Sequence, residues 1–217
     1  MEFMIGIYNY TVIITYLSVV SAGVGMYLAS QGSIKAAVFF LMLSGLCDML
    51  DGPVARTLKT RTERAKKFGI QIDSLCDCVS FGVQPAVLVY CIANGEAESA
   101  QWLKLAALVV GILLVLCGII RLAFFNVDEE ERQNREGAKA RDAYRGLPIT
   151  NSTLTIPLAF LSGFFAQGIT FACIMVAAEL ITAALYVIDF PFPKVHGRKL
   201  ILVGLGALAL FIGVCFV

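Results

Sequence analysis

The sequence predicts an all-α fold, a polytopic transmembrane bundle of six to eight helices. Two observations lead to this fold class. Hydrophobic residues make up 59% of the chain and charged residues only 15%, far from the balance of a water-soluble domain. The apolar residues also fall into separate runs of about 20 residues, the length that a helix needs to cross a bilayer. One integral membrane domain is therefore expected over residues 1–217.

Seven apolar runs are candidate helices. Continuous helices are expected because backbone polar groups in hydrocarbon must be bonded within the chain, and no run alternates like a barrel strand. The first run lacks a basic leader and is interpreted as a retained span rather than a signal peptide. Pro191 and Pro193 interrupt the region before the last run. The runs cover residues 10–30, 34–50, 70–93, 102–127, 149–166, 169–189 and 200–217.

Positive charges indicate which connectors face the cytoplasm. Lys and Arg are concentrated in residues 57–67 and 128–145, whereas residues 94–101 carry Glu96 and Glu98 and no base. The positive-inside rule then predicts that the two basic connectors are cytoplasmic. Residues 57–67 are interpreted as a basic loop able to hold phosphates, and residues 128–145 as a solvated connector.

Composition also bears on other classes of protein. A net charge of +1 gives no reason to expect a nucleic-acid partner. The seven cysteines lack the paired spacing of a zinc site and lie mostly in apolar runs, so they are interpreted as reduced packing residues.

Four aspartates lie at or inside the ends of two apolar runs, where an unpaired carboxylate is costly. Asp48 and Asp51 are spaced i, i+3, and Asp73 and Asp77 are spaced i, i+4, so each pair projects from one helical face. The connector between them can bring the two faces together. Four converging carboxylates need compensating charge, and two divalent cations, Mg²⁺ or Mn²⁺, suit oxygen ligands. Such a site favours displacement at phosphorus.

Small residues beside the aspartates point to the same chemistry. Gly52, Ala55 and Gly69 leave the backbone open to a nucleotide or phosphate, and Arg56 can direct its guanidinium at a diphosphate. Any one small residue alone is better explained by close packing of membrane helices. Packing does not explain the four aspartates.

Eight positions, taken in order, resemble the signature of the CDP-alcohol phosphatidyltransferase family. They are Asp48, Asp51, Gly52, Ala55, Arg56, Gly69, Asp73 and Asp77. The resemblance implies that the four aspartates bind two metals, that Asp77 is also the general base, and that the other four residues shape the CDP site. It further implies a homodimer.

Residues 79–86, 121–126 and 146–148 are similar to the phosphatidylserine synthase branch of this family. This similarity implies that a phosphatidyl group passes from CDP-diacylglycerol to the hydroxyl of L-serine, with release of CMP, in an enzyme surrounded by membrane lipids. Serine would bring a carboxylate and an ammonium group to the site.

Arg121 is the first candidate for the serine carboxylate, because an arginine at the end of an apolar run is costly without a partner. Ser80, Asn126 and Arg145 are further candidates. Snorkelling toward the interface is the alternative explanation for Arg121 and Arg145.

Two other functions stay open at this point. An acceptor such as glycerol phosphate or inositol phosphate would share the metal motif, but its phosphate would need several cations in the pocket. A cation channel or transporter could also use buried aspartates. A transport path should distribute polar residues over several helices, whereas the buried acids cluster here, with Glu179 as the exception.

Overall fold

The fold is a helical bundle, and the predicted fold class is confirmed. The computed structural model describes residues 6–7, 10–57, 62–96, 100–136, 143–193 and 198–217, some of them by backbone alone. Eight α-helices lie within these ranges. They are α1 (Tyr10–Ser30), α2 (Ile34–Thr57), α3 (Glu63–Asp77), α4 (Gln84–Gly95), α5 (Gln101–Glu136), α6 (Ser152–Phe160), α7 (Gly168–Val187) and α8 (Arg198–Phe216).

Four stretches of the described chain are long and apolar enough to cross a membrane: Val12–Ser30, Glu63–Gly95, Gln101–Arg132 and Gly168–Val187. The second of these contains both α3 and α4, which are joined by a π-helical turn over Cys78–Val83, called the π segment below. Each of the seven predicted runs contains an α-helix. The third run contains α4 and part of α3, joined by the π segment.

Three helix ends extend well beyond the predicted runs. α2 continues beyond residue 50 to Thr57 with Pro53 inside it, and α3 begins at Glu63, within the predicted basic loop. α5 extends to Glu136, so residues 128–136 of the predicted solvated connector are a continuation of this helix. The physical reason is that Glu, Lys, Arg and Gln favour helix, and a helix already formed gains a hydrogen bond for each residue added. Apolar runs mark the membrane-embedded part of a helix rather than its ends.

A short antiparallel ladder, which the sequence did not predict, joins two connectors. Strand β1 (Ala143–Arg145) pairs with β2 (Pro191–Pro193). Gly146 turns the chain directly after β1 with a φ of 72°, and its N–H donates to the Phe190 carbonyl at 2.7 Å. A Cβ at Gly146 would lie 3.0 Å from the Ile188 carbonyl oxygen, so this turn requires glycine. The ladder fixes the α5–α6 connector to the end of α7.

The core lies where α2, α4, α5 and α7 meet. Leu41, Leu88, Leu103 and Met175 contribute one fully buried side chain from each of these helices. A second cluster around Phe81 packs the π segment against α5 and α7. These two clusters fix the positions of α2, which carries Asp48 and Asp51, and of the π segment, which follows Asp77.

Close packing of α2 against α6 depends on Gly45. A Cβ at Gly45 would lie 2.7 Å from Thr153 Cγ2 and 2.9 Å from Thr153 Cβ, whereas no described atom lies within 4 Å of the corresponding point at Gly23 in α1. We expect Gly45→Ala to lower the thermal unfolding temperature of the detergent-solubilised protein, with overpacking costing about 1–3 kcal/mol. Gly23→Ala is the matched control and should not lower it. Equal unfolding temperatures for the two variants would contradict this contact.

Candidate functional site

Four aspartates meet near the C-terminal ends of α2 and α3. Asp48, Asp73 and Asp77 each offer a carboxylate oxygen, and these three oxygens lie within 4.8 Å of one another. Asp51, one turn after Asp48, contacts Asp73. The structure thus brings together the two pairs that their helical spacing places on two faces. This set of four residues is called the aspartate cluster below.

The aspartate cluster fits a divalent cation. Its donors are all carboxylate oxygens, which are the ligands that Mg²⁺ and Mn²⁺ prefer. Oxygens bound to one Mg²⁺ at about 2.1 Å lie at most about 4.2 Å apart, so side chains within 4.8 Å need only a small adjustment. Carboxylates this close also repel one another unless one of them is protonated or a cation lies between them.

Helix α1 reaches the aspartate cluster through Thr15. Thr15 Oγ1 donates a hydrogen bond to Asp51 Oδ2 at 3.2 Å. One turn further on, Ser18 Oγ donates to the Thr15 carbonyl at 2.7 Å, and Ser80 Oγ of the π segment lies 3.5 Å from Ser18 Oγ. The sequence reasoning did not single out Thr15 and Ser18. Their i, i+3 spacing inside an apolar run was the available signal.

The π segment begins directly after Asp77. A π turn interrupts the regular hydrogen-bond ladder of a helix, and such turns are frequent at functional sites. Gln84, directly after the π segment, is buried. In the amide orientation that satisfies both of its polar atoms, the nitrogen donates to the Ser80 carbonyl at 3.3 Å and the oxygen accepts from the Leu41 N–H at 3.0 Å. The side chain of Gln84 therefore holds the wider turn in place next to Asp77.

Two of the four predicted CDP-site residues can be described in full, and both lie beside the aspartates. The backbone of Gly52 contacts the Asp51 carboxylate. Gly69 lies one turn before Asp73, and no described atom lies within 4 Å of the point where its Cβ would be. Ala55 and Arg56 belong to α2, but their side chains lie outside the described part of the chain.

Two of the predicted serine-binding residues belong to α5, where Arg121 is buried and Asn126 is half-buried. Arg121 is 6% exposed, its Nε donates to the Leu147 carbonyl at 3.0 Å, and its guanidinium lies 5.5 Å from the Phe125 ring centre. This burial does not match the snorkelling alternative for Arg121. Asn126 Nδ2 donates to Ser74 Oγ at 2.9 Å, so Asn126 lies beside the residue that follows Asp73.

The other two predicted serine-binding residues make contacts of a different kind. Ser80 is fully buried and faces α1. Arg145 is exposed and pairs in a bidentate manner with Asp189, with Nε donating to Oδ1 at 3.1 Å and Nη2 to Oδ2. The guanidinium also lies 5.2 Å from the Phe124 ring centre. The hydrogen bond and charge of Arg145 hold the pKa of the Asp189 carboxyl below its usual value.

These features define a carboxylate centre in a bundle of membrane-spanning helices, of the kind that holds divalent cations for chemistry at phosphorus. Comparison of the sequence with protein families identifies the class more closely. The model of the CDP-alcohol phosphatidyltransferase family matches residues 8–189, which contain all eight signature positions. The chain belongs to the CDP-alcohol phosphatidyltransferase family, and α8 lies outside the matched residues.

Several curated proteins are similar to this chain. The archaetidylserine synthase of Methanothermobacter thermautotrophicus is 35% identical over 185 residues, covering 85% of this chain and 70% of that protein. The CDP-diacylglycerol--serine O-phosphatidyltransferase of Mycobacterium tuberculosis is 28% identical over 188 residues, or 84% of this chain and 60% of that protein. The protein of the same name from Methanocaldococcus jannaschii is 32% identical over 181 residues, covering 83% and 72%.

Proposed function

We propose that the protein transfers the phosphatidyl group of CDP-diacylglycerol to the hydroxyl of L-serine, forming phosphatidylserine and CMP. The observation that carries this proposal is the convergence of Asp48, Asp73 and Asp77 within 4.8 Å, in a chain of a family that acts on CDP-alcohols. Serine as the acceptor is supported by relatives whose names specify serine or archaetidylserine. The archaeal name also makes a donor with isoprenoid chains the second candidate, with the same headgroup chemistry.

Two divalent cations, Mg²⁺ or Mn²⁺, complete the proposed site, and Asp48, Asp51, Asp73 and Asp77 would hold them. When bound, these cations would neutralise charge on the diphosphate and on the oxygen that leaves with CMP. Gly52, Ala55, Arg56 and Gly69 shape the proposed CDP site beside them. Gly69 lies one turn before Asp73, and no described atom lies within 4 Å of the point where its Cβ would be, which supports this assignment.

Asp77 is the proposed general base. It takes the proton from the serine hydroxyl, whose oxygen forms a bond to the phosphorus that carries diacylglycerol. The bond from that phosphorus to the bridging oxygen breaks, and CMP leaves with this oxygen. A base must lie within hydrogen-bond reach of the proton that it removes, and Asp77 belongs to the cluster that would also bind the diphosphate.

The proposed serine pocket contains Arg121, Asn126, Ser80 and Arg145. Asn126 has the most direct support, since its partner Ser74 is adjacent to Asp73. Arg121 supplies the charge that a carboxylate needs, and its Nε contact with the Leu147 carbonyl fixes the position of the guanidinium. Ser80 and Arg145 would have to leave their contacts with Ser18 and Asp189 to touch serine.

The proposed orientation places the aspartate cluster on the cytoplasmic side of the cell membrane. The protein is also proposed to be a homodimer, and light scattering of the purified protein would measure its mass. Arg64, Lys66 and Lys67 are exposed in the first turns of α3, which leads to Asp73. Basic residues of this kind remain on the cytoplasmic side during insertion.

The first prediction concerns the reaction itself. Purified protein incubated with CDP-diacylglycerol, L-serine and Mg²⁺ or Mn²⁺ should release CMP and form phosphatidylserine, and excess chelator should stop both. Asp48→Asn, Asp51→Asn and Asp73→Asn should abolish turnover, whereas Glu63→Gln, an exposed acid on the same helix as Asp73, should not. The lipid product is identified by mass spectrometry. A product formed only with glycerol phosphate or inositol phosphate would contradict serine as the acceptor.

A second prediction tests the orientation. In a variant without the native cysteines, a cysteine at Lys66 should react with a membrane-impermeant maleimide only after the cells are opened. A cysteine at Asn94, which is exposed near the opposite end of the α3–α4 span, should react in intact cells. The two positions reacting from the same side would overturn the proposed orientation.

A third prediction separates the serine pocket from the CDP site. Arg121→Ala should raise the KM for serine much more than the KM for CDP-diacylglycerol, because a selective rise in one KM indicates lost ground-state binding of that substrate. Steady-state kinetics with each substrate varied in turn measures the two constants. If the KM for serine is unchanged, Arg121 serves packing alone, and Asn126→Ala becomes the variant to measure.

A further inference from the structure

Asp51 differs from the other three aspartates in how its carboxylate is held. Asp48, Asp73 and Asp77 each place one carboxylate oxygen within 4.8 Å of the other two, whereas Asp51 contacts this group through Asp73. The last torsion of an aspartate side chain has a broad energy minimum. Helix packing alone therefore does not fix which way the Asp51 oxygens face, and hydrogen bonds have to supply that restraint. One comes from the backbone of Gly52 in the same helix.

Thr15 supplies such a hydrogen bond from α1. Its Oγ1 donates to Asp51 Oδ2 at 3.2 Å, and its side chain is 7% exposed. A β-branched side chain in a helix has few rotamers available. The donor is thus confined before any ligand arrives, and it restrains one of the two oxygens of Asp51.

The backbone of α1 at Thr15 is itself held on two sides. Ser18 Oγ donates to the Thr15 carbonyl at 2.7 Å, and Ser44 Oγ of α2 donates to the Ser18 carbonyl at 3.1 Å. Ser80 of the π segment reaches Ser18 at 3.5 Å. α1 therefore joins the helix that carries Asp51 to the segment that follows Asp77.

We infer that Thr15 is a positioning residue, whose hydroxyl orients the Asp51 carboxylate toward a divalent cation held by the aspartate cluster. The inference rests on the part of the proposed function in which the cluster binds a cation, and it is independent of the acceptor alcohol. Groups that hydrogen-bond to metal ligands commonly change metal affinity by about 10–100-fold when they are removed. Thr15 acts through Asp51 and does not contact the substrate.

The alternative is that Thr15 only satisfies its own hydroxyl within the α1–α2 interface. Loss of the hydroxyl would then lower stability and leave metal affinity unchanged. The two explanations differ in a binding constant, so an equilibrium measurement on the full chain separates them without any turnover.

Mn²⁺ binding to the full chain in detergent, followed by the electron paramagnetic resonance signal of free Mn²⁺, provides the test. Thr15→Val keeps the shape of the side chain and removes the hydroxyl, and we expect it to raise the Mn²⁺ dissociation constant about tenfold or more. Thr15→Ser keeps the hydroxyl and should bind Mn²⁺ nearly as tightly as the unmodified protein. Asp73→Asn identifies the part of the signal that belongs to the cluster.

Thr182→Val is the matched control, since Thr182 is a buried threonine of α7 whose hydroxyl donates to Thr155 Oγ1 at 3.0 Å. It should leave the dissociation constant unchanged. Thr15→Ala provides a second variant without the hydroxyl if Thr15→Val does not purify. Thermal unfolding without metal reports the stability of each variant separately.

The inference is overturned if Thr15→Val binds Mn²⁺ like the unmodified protein, if Thr15→Ser is as weak as Thr15→Val, or if Thr182→Val is equally weak. It is also overturned if the unmodified protein binds no Mn²⁺ through Asp73. Binding that follows the expected pattern in a protein that transfers no lipid to serine would reject the proposed reaction alone. Serine transfer with unchanged Mn²⁺ binding in Thr15→Val would reject the role of Thr15 alone.

Discussion

Repulsion between the carboxylates of the aspartate cluster is the interaction that the surrounding structure must withstand. Two ionised carboxylates about 4 Å apart repel by about 4 kcal/mol at an effective dielectric constant of 20. Packing of α2 into the core and of the π segment into the second cluster resists this force. A bound cation reverses the sign of the interaction, because the same carboxylates then become ligands. The cluster is therefore suited to a cation-bound state.

Much of the site could be predicted because the spacing of its residues along the sequence shows which of them share a helical face. The spacings of Asp48 with Asp51 and of Asp73 with Asp77 place each pair on one helical face, and acids at the ends of apolar runs need partners. Helix ends were harder to predict. Gly52 and Pro53 resemble a helix stop, yet α2 continues to Thr57. A proline removes one hydrogen bond, and this loss does not end a helix held by packing on α1 and α6.

Features that depend on partners distant in sequence could not be predicted in this way. The β1–β2 ladder and the pairing of Arg145 with Asp189 join residues more than 40 positions apart, and neither strand has an alternating apolar pattern. The π segment likewise has no local signature, because Gln84 and Ser18 support it from other turns and another helix. Thr15 likewise has no distinguishing local pattern, because its partner Asp51 lies 36 positions away in the sequence.

The contrast between Thr15 and Glu179 shows why burial of a polar group does not by itself identify a site. Glu179 is fully buried in α7, and its carboxyl oxygens have no hydrogen-bond partner among the described residues. Its Oε1 lies 3.6 Å from the point where a Cβ of Gly111 would be, against α5. The buried acid has no polar partner among the described residues, whereas Thr15 donates a hydrogen bond to a carboxylate of the aspartate cluster. The partner, and not the burial, connects a polar side chain to the chemistry. This is why a third helix, α1, belongs to the candidate site although it carries no acidic residue.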